Sequence, residues 1–121
     1  MRTLNILIVD DEPLIQELVE AMLLQENHRV HTSSSAIEAL RKLDGDGIDL
    51  VITEHWLPGT SGGELAAMIK GQITPRRVML MSSHLPRHDF PGVDGTLQKP
   101  FSRVQLHDAI EEVMTPREEV A

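Results

Sequence analysis

Short apolar runs alternate along the chain with segments in which apolar residues recur at helical spacing. Runs of four to six mostly β-branched or aliphatic residues are typical of strands covered on both faces, as in parallel sheets. Three of the predicted strands are of this kind, and two are shorter and more polar. In chain order the five predicted strands are 4–9, 29–32, 48–53, 78–81 and 96–98.

Helices are predicted wherever apolar residues return every three or four positions. Pro13 suits the first position of a helix, because the N–H that proline lacks has no intrahelical partner there. Ser35 followed by Glu38 predicts a capping box for the second helix, and the glycines at 45 and 47 predict its end. The predicted helices cover about 13–26, 35–43, 65–70 and 104–113.

The interval between the last two strands has no helical pattern. Residues 83–95 include Pro86, Pro91, Gly92 and Gly95. Proline removes a backbone donor and glycine weakens a helix, so a regular helix is disfavoured here. We expect an irregular loop or a single turn in this interval.

Strands that alternate with helices predict an α/β fold, with a doubly wound parallel sheet covered by helices on both faces. A length of 121 residues suits one domain, 1–121, in which 115–121 is a polar tail or linker. Ligands of open parallel sheets bind beyond the carboxyl ends of the strands. The residues at those ends are therefore the candidates for chemistry.

Composition narrows the functional class. The chain has no cysteine, which excludes disulfides and thiolate metal sites. The apolar run before Asp10 is too short for a signal peptide or a membrane span. The net charge of −8, with scattered basic residues, argues against nucleic-acid binding by this domain alone. We expect a cytoplasmic protein with no membrane partner.

Four of the predicted strands end on residues capable of chemistry. These are Asp10 and Asp11 after the first strand, Glu54 after the third, Ser82 after the fourth and Lys99 after the fifth. Adjacent parallel strands would bring these side chains to one edge of the sheet. Carboxylates suit Mg²⁺, and an ammonium and a hydroxyl suit phosphoryl oxygens. Each feature alone is commonplace, since an acidic pair before a helix usually caps it.

The order of these residues resembles the receiver domain of two-component response regulators over nearly the whole chain. The motifs concerned are the acidic pair within 6–12, the strand 49–54 with its loop 57–62, the strand 79–83, and Lys99-Pro100-Phe101. The resemblance implies a flavodoxin-like, five-stranded sheet of order 2-1-3-4-5. It also implies a non-enzymatic signalling domain of a phosphorelay, with a histidine kinase or an output protein as partner.

The resemblance gives each pocket residue a role. Glu54 stands at the phosphoacceptor position, Ser82 would bond a phosphoryl oxygen, and Lys99 would pair with the acceptor carboxylate. The Lys99–Pro100 peptide bond is expected to be cis, which proline makes accessible. The implied Mg²⁺ ligands are Asp10, Asp11, Glu54 and the main-chain carbonyl of Trp56.

Three features depart from the family pattern. The family carries aspartate where this chain has Glu54, and the extra methylene displaces the attacking oxygen by about an ångström, which can cost about a hundredfold in rate. Thr96 stands where the family usually has a switch aromatic. The helix-free interval 83–95 replaces the fourth helix, which puts the usual dimer face in doubt. We expect a pseudo-receiver that acts by protein–protein interaction. Such a domain could still bind Mg²⁺ or could have lost that ability.

Several alternatives stay open. Glu54 could imitate a phosphorylated acceptor by reaching Ser82 and Lys99, or it could form a salt bridge with Lys99 and fix one conformation. A competent response regulator, phosphorylated by a histidine kinase, is the main alternative. A small Mg²⁺-dependent phosphatase is disfavoured because Glu12, two residues after Asp10, begins the helix. A flavin carrier is disfavoured because carboxylates after the first strand would repel a phosphate.

Two further groups of residues have ordinary structural explanations. His84 and His88 fall in the irregular interval, where exposed loop histidines are expected rather than a metal site. Trp56, the only tryptophan, is expected to be a partly buried loop anchor. Its alternative role is a contact for a partner on the active face.

Overall fold

The computed structural model describes residues 2–45 and 47–116. Its strands are β1 Asn5–Val9, β2 Arg29–Ser33, β3 Leu50–Glu54, β4 Arg77–Ser82 and β5 Gly95–Gln98. Its helices are α1 Pro13–Gln25, α2 Ala36–Leu43, α3 Gly62–Lys70 and α4 Arg103–Met114. Of the expected tail, 115–121, only Thr115 and Pro116 are described, and 117–121 lie outside the described residues.

The five strands form one parallel sheet of order β2-β1-β3-β4-β5. In the register Ile8 of β1 lies opposite Thr32 of β2 and Ile52 of β3. This is the flavodoxin-like order, and the prediction of fold class and strand order is confirmed. The order reverses between β1 and β3, the point at which such sheets open a crevice at their carboxyl ends.

Both faces of the sheet are buried. Alternate residues of β1 point to opposite faces, so that Ile6 and Ile8 pack with α1 and α4, while Leu7 and Val9 pack with α2 and α3. All four side chains are fully buried. Burial of a side chain of this size stabilises a fold by about 1.5–3 kcal/mol. The double burial explains why the strands are nearly continuous apolar runs.

The helix starts follow local capping chemistry. Ser35 caps α2, because its Oγ accepts a hydrogen bond from Glu38 N at 3.1 Å. The predicted capping box is wrong in its second half, since the Glu38 carboxylate accepts from Ser34 N instead. Complete capping boxes open α3 and α4, formed by Ser61 with Glu64 and by Ser102 with Gln105. Both pairs have the same three-residue spacing as Ser35 and Glu38, but neither was predicted from the sequence.

The segment 83–94 joins β4 to β5 without a helix, as predicted from its prolines and glycines. Asp94 anchors its end by accepting hydrogen bonds from Lys70 Nζ at 2.6 Å and Val78 N at 2.8 Å, with Arg77 Nη1 at 3.4 Å. Burial alone would raise the pKa of Asp94. The bonds to Lys70 and Val78 outweigh burial, so that the pKa of Asp94 lies below its usual value.

The segment 83–94 also packs closely against α3. A Cβ added to Gly63 would lie 2.5 Å from the ring of Phe90, and one added to Gly92 would lie 2.6 Å from the main chain of Ala66. Only glycine permits these close approaches. The second half of the segment is therefore docked on α3, although it lacks regular secondary structure.

Candidate functional site

The structure brings Asp10, Glu54 and Lys99 together at the carboxyl edge of the sheet. Lys99 Nζ lies 2.8 Å from Asp10 Oδ2 and 3.3 Å from Glu54 Oε1. The side chains of Lys99, Asp10 and Glu54 are only 10%, 1% and 12% exposed, respectively. One ammonium thus bridges two carboxylates in a largely water-excluded position. The Lys99–Pro100 peptide bond is cis, as expected.

The charge of Lys99 is stabilised by its neighbours. Burial by itself would lower the pKa of Lys99. The hydrogen bond and charge of Asp10, with a further contribution from Glu54, outweigh burial and raise the pKa of Lys99 above its usual value. Lys99 is therefore an ammonium throughout the neutral range, and the network depends on that positive charge.

The second oxygen of Glu54 is turned toward its own main chain. Oε2 accepts hydrogen bonds from His55 N at 2.6 Å and from Trp56 N at 3.4 Å. Both carboxylate oxygens consequently have partners, Lys99 on one side and backbone donors on the other. Such charge-assisted bonds are among the stronger hydrogen bonds in proteins.

Ser82 is fully buried at the end of β4, but its hydroxyl faces its own loop. Ser82 Oγ donates to His84 O at 3.1 Å and accepts from His84 N at 3.3 Å. Within residues 2–45 and 47–116, Ser82 makes no hydrogen bond with Glu54. The geometry therefore contains the salt bridge of Glu54 with Lys99 and not the contact of Glu54 with Ser82.

Two of the three acidic residues, Asp10 and Glu54, already have hydrogen-bond partners in the protein, and Asp11 faces solvent. Asp10 Oδ1 accepts from Glu12 N at 2.9 Å, while its other oxygen is bonded to Lys99, and Asp11 is exposed to solvent. The only group of three potential ligands within 4.8 Å of one another among the described residues is on α4: His107, Asp108 and Glu111. Carboxylates have the right chemistry for Mg²⁺, which needs only one or two of them beside its waters, so Asp10, Asp11, Glu54 and the main-chain carbonyl of Trp56 are still the residues that would hold the ion.

Two aromatic residues follow Glu54. Trp56 is 58% exposed, more than a partly buried anchor would be, and its indole N–H donates to His84 O at 2.6 Å. His55 is buried, accepts from Gly63 N through Nδ1 at 3.2 Å, and packs edge-on against Trp56. Burial lowers the pKa of His55, although the charge of Glu54 opposes this shift. The lowered pKa keeps the imidazole neutral at neutral pH. His55 could not be predicted as a site residue, because a lone histidine after a strand carries no local signal in the sequence.

The remaining candidates lie outside this cluster. Thr96 is an exposed residue of β5, opposite Leu80 of β4, which matches an ordinary strand residue. His84 and His88 are exposed in the segment 83–94, and they are not part of a metal-ligand group in the region that the structure describes.

The profile of the response regulator receiver domain family matches residues 6–111. The chain belongs to this family. Among curated proteins, this receiver domain is similar to the regulatory protein VanR of Enterococcus faecium, with 38% identity over 106 residues, 84% of this chain and 46% of VanR. It is also 32% identical over 107 residues to the transcriptional regulatory protein TcrA of Mycobacterium tuberculosis, covering 84% of this chain and 42% of TcrA.

Solved structures agree with the fold. The response regulator TrrA of Thermotoga maritima, in complex with Mg²⁺ and BeF, is 30% identical with a TM-score of 0.85, over 93% of this chain and 100% of TrrA. CheY4 of Vibrio cholerae is 22% identical with a TM-score of 0.83, over 93% of this chain and 100% of CheY4, and supports the fold alone. TrrA has also been solved in complex with the histidine kinase ThkA.

Family membership favours a receiver over the phosphatase and the flavin carrier. The receiver domain spans less than half the length of VanR and TcrA. The matched region therefore corresponds to only part of each of those proteins. Among the described helices, none has the length and apolar character needed to cross a bilayer.

Proposed function

We propose that this domain is a pseudo-receiver: a module of a two-component phosphorelay that acts through protein–protein contacts and is not phosphorylated in the usual way. The supporting observation is the side chain at the acceptor position: it is the longer glutamate, and Glu54 Oε2 accepts hydrogen bonds from the main-chain N–H groups of His55 and Trp56. The carboxylate at the acceptor position is thereby engaged before any phosphodonor arrives.

The chemistry of transfer supports the proposal. Phosphoryl transfer requires an oxygen that is free to attack in line with the leaving group. Both oxygens of Glu54 are hydrogen-bonded, and release of one such bond to a charged group costs about 1.5–3 kcal/mol. The additional methylene of glutamate displaces the attacking oxygen further. Together these effects slow attack by Glu54 by orders of magnitude.

The conformation of the pocket is that of a salt-bridged state and not of an imitation of phosphorylation. A phosphorylated acceptor would present three oxygens and nearly two negative charges, whereas Glu54 has two oxygens and one charge. Glu54 bonds Lys99, and Ser82 bonds the main chain of His84. We infer that Glu54 fixes one conformation of the domain.

The proposed partner is a signalling protein, either a histidine kinase or an output protein. This rests on family membership and on the complex of TrrA with a kinase. The chain would act as a single non-catalytic domain in the cytoplasm. Asp10, Glu54, Ser82 and Lys99 would hold its conformation through their hydrogen bonds, while Asp11 faces solvent.

Intact-mass measurement after treatment with acetyl phosphate and Mg²⁺ tests the proposal. The unmodified chain is expected to show no added phosphoryl group. A stable phosphoryl adduct mapped to Glu54 would support the alternative, a competent receiver phosphorylated by a histidine kinase. The adduct would overturn the pseudo-receiver proposal while leaving family membership intact.

A further inference from the structure

A cleft of about 800 Å³ lies between the indole of Trp56 and the first half of the segment 83–94. It opens where the chain leaves β4 without forming a helix. Its volume falls in the range of about 300–1,000 Å³ typical of small-molecule sites. The lining includes His55, Trp56, His84, Arg87, His88 and Gln98.

The charge of this cleft is opposite to that of the chain. Its lining has one arginine and three histidines and no carboxylate, although the chain has 19 acidic and 11 basic residues. Arg77 and Arg103 have carboxylate partners, Asp94 and Glu26. Arg87 has no such ion pair within the described ranges, and it is exposed. Its guanidinium is available to bind an anion in a bidentate manner.

The indole of Trp56 is held in place although it is largely exposed. Its N–H donates to His84 O at 2.6 Å, and its ring meets the ring of His55 at 83° with centroids 4.6 Å apart. An aromatic surface that is oriented in advance binds a planar ligand at a lower entropic cost than a mobile side chain would. The cleft therefore combines a fixed ring with an unpaired cation.

We propose that this cleft binds a small aromatic anion with the size and chemistry of a purine mononucleotide. The ligand's ring stacks on Trp56, and its phosphate is bound by Arg87, with the imidazoles of His84 and His88 as further donors. The lining contains neither Glu54 nor Lys99, so the proposal does not depend on whether Glu54 accepts a phosphoryl group. A bound ligand would join the end of β3 to the segment 83–94.

Calorimetric titration with adenosine 5′-monophosphate tests the proposal, with fluorescence as a second readout because Trp56 is the only tryptophan. We expect saturable binding that quenches Trp56. Adenosine, which lacks the anion, and inorganic phosphate, which lacks the ring, should each bind at least about tenfold more weakly. Arg87→Gln should weaken binding of the mononucleotide by about tenfold.

The matched control is Arg41→Gln, which removes the same charge from an exposed position on α2. It should leave the affinity unchanged. Equal weakening by both variants would indicate general charge attraction and overturn the proposal. So would the absence of heat and quenching at millimolar ligand, or phosphate alone binding as tightly as the mononucleotide.

Discussion

Lys99 Nζ lies 2.8 Å from Asp10 Oδ2, although the two residues are 89 positions apart in the chain. The contact joins the residue after β5 to the residue after β1, across the middle of the sheet edge. Asp10 is completely buried, and this ammonium is the partner of its Oδ2. The pocket is therefore a cluster in which one ammonium bridges two carboxylates.

Removal of the ammonium should destabilise the domain. Lys99→Met leaves Asp10 and Glu54 without their shared cation, and breaking a buried pair in this way costs about 3 kcal/mol. Urea unfolding at neutral pH measures the loss. Lys42→Met is the control, since Lys42 pairs with Glu38 at the surface and such pairs contribute about 0.5 kcal/mol. Equal losses in the two variants would contradict the bridging role of Lys99.

Shortening the acceptor side chain should restore phosphorylation. Glu54→Asp withdraws the carboxylate by one methylene and returns the attacking oxygen to the family's position. With acetyl phosphate and Mg²⁺, intact mass should show one phosphoryl group on the variant and none on the unmodified chain. Glu54→Gln should remain unmodified. If Glu54→Asp also stayed unmodified, Asp10, Asp11, Ser82 and Lys99 would not be arranged as a receiver pocket.

Magnesium should bind weakly. Asp10 is occupied by Lys99 and by the main chain of Glu12, so a metal would have to displace existing bonds. Trp56 follows Glu54 by two residues and donates to His84 O, which makes its fluorescence a local reporter. We expect the fluorescence of Trp56 to change only at millimolar MgCl₂. Saturable quenching at lower concentrations would show that the carboxylates rearrange around the ion.

Stability should depend on the ionisation of Asp94 at acid pH. The folded pKa of Asp94 lies below its usual value of 3.8, so its stabilisation is present above that value and is lost as the pH falls through the folded pKa. Asp94→Asn should therefore be less stable than the unmodified chain at pH 7, and the difference should vanish in strong acid. Unfolding free energies between pH 7 and acid measure this. Asp44→Asn, at an exposed position, should show no such difference.

Gly62 should not tolerate a side chain. A Cβ there would lie 2.3 Å from Glu54 O, a main-chain atom that cannot move without distorting the end of β3. Gly62→Ala should cost about 1–3 kcal/mol in the free energy of unfolding. Gly45→Ala is the control, because no atom of the described part of the chain, its own neighbours apart, lies within 4 Å of its added Cβ. A neutral Gly62→Ala would mean that the loop after β3 is less closely packed than described.

The sequence by itself determined the fold of this protein and the kinds of side chain at the edge of its sheet. Strands buried on both faces must be apolar on both faces, so β1, β3 and β4 were visible as continuous runs. The prolines and glycines of 83–95 likewise predicted the loss of a helix, because their backbone effects are local. The errors were local too, such as the half-formed capping box at Ser35.

Only the tertiary structure decided which hydrogen-bond partner each polar group has. Lys99 could have faced one carboxylate and Ser82 could have faced Glu54, but Lys99 bridges Asp10 and Glu54 while Ser82 bonds His84. The sequence likewise did not predict that His55 is buried or that Trp56 is largely exposed. Several donors and acceptors lie close together at this edge, and the path of the segment 83–94 places the main chain of His84 against Ser82 and Trp56. Such a choice depends on three-dimensional distances, which residue order does not encode locally.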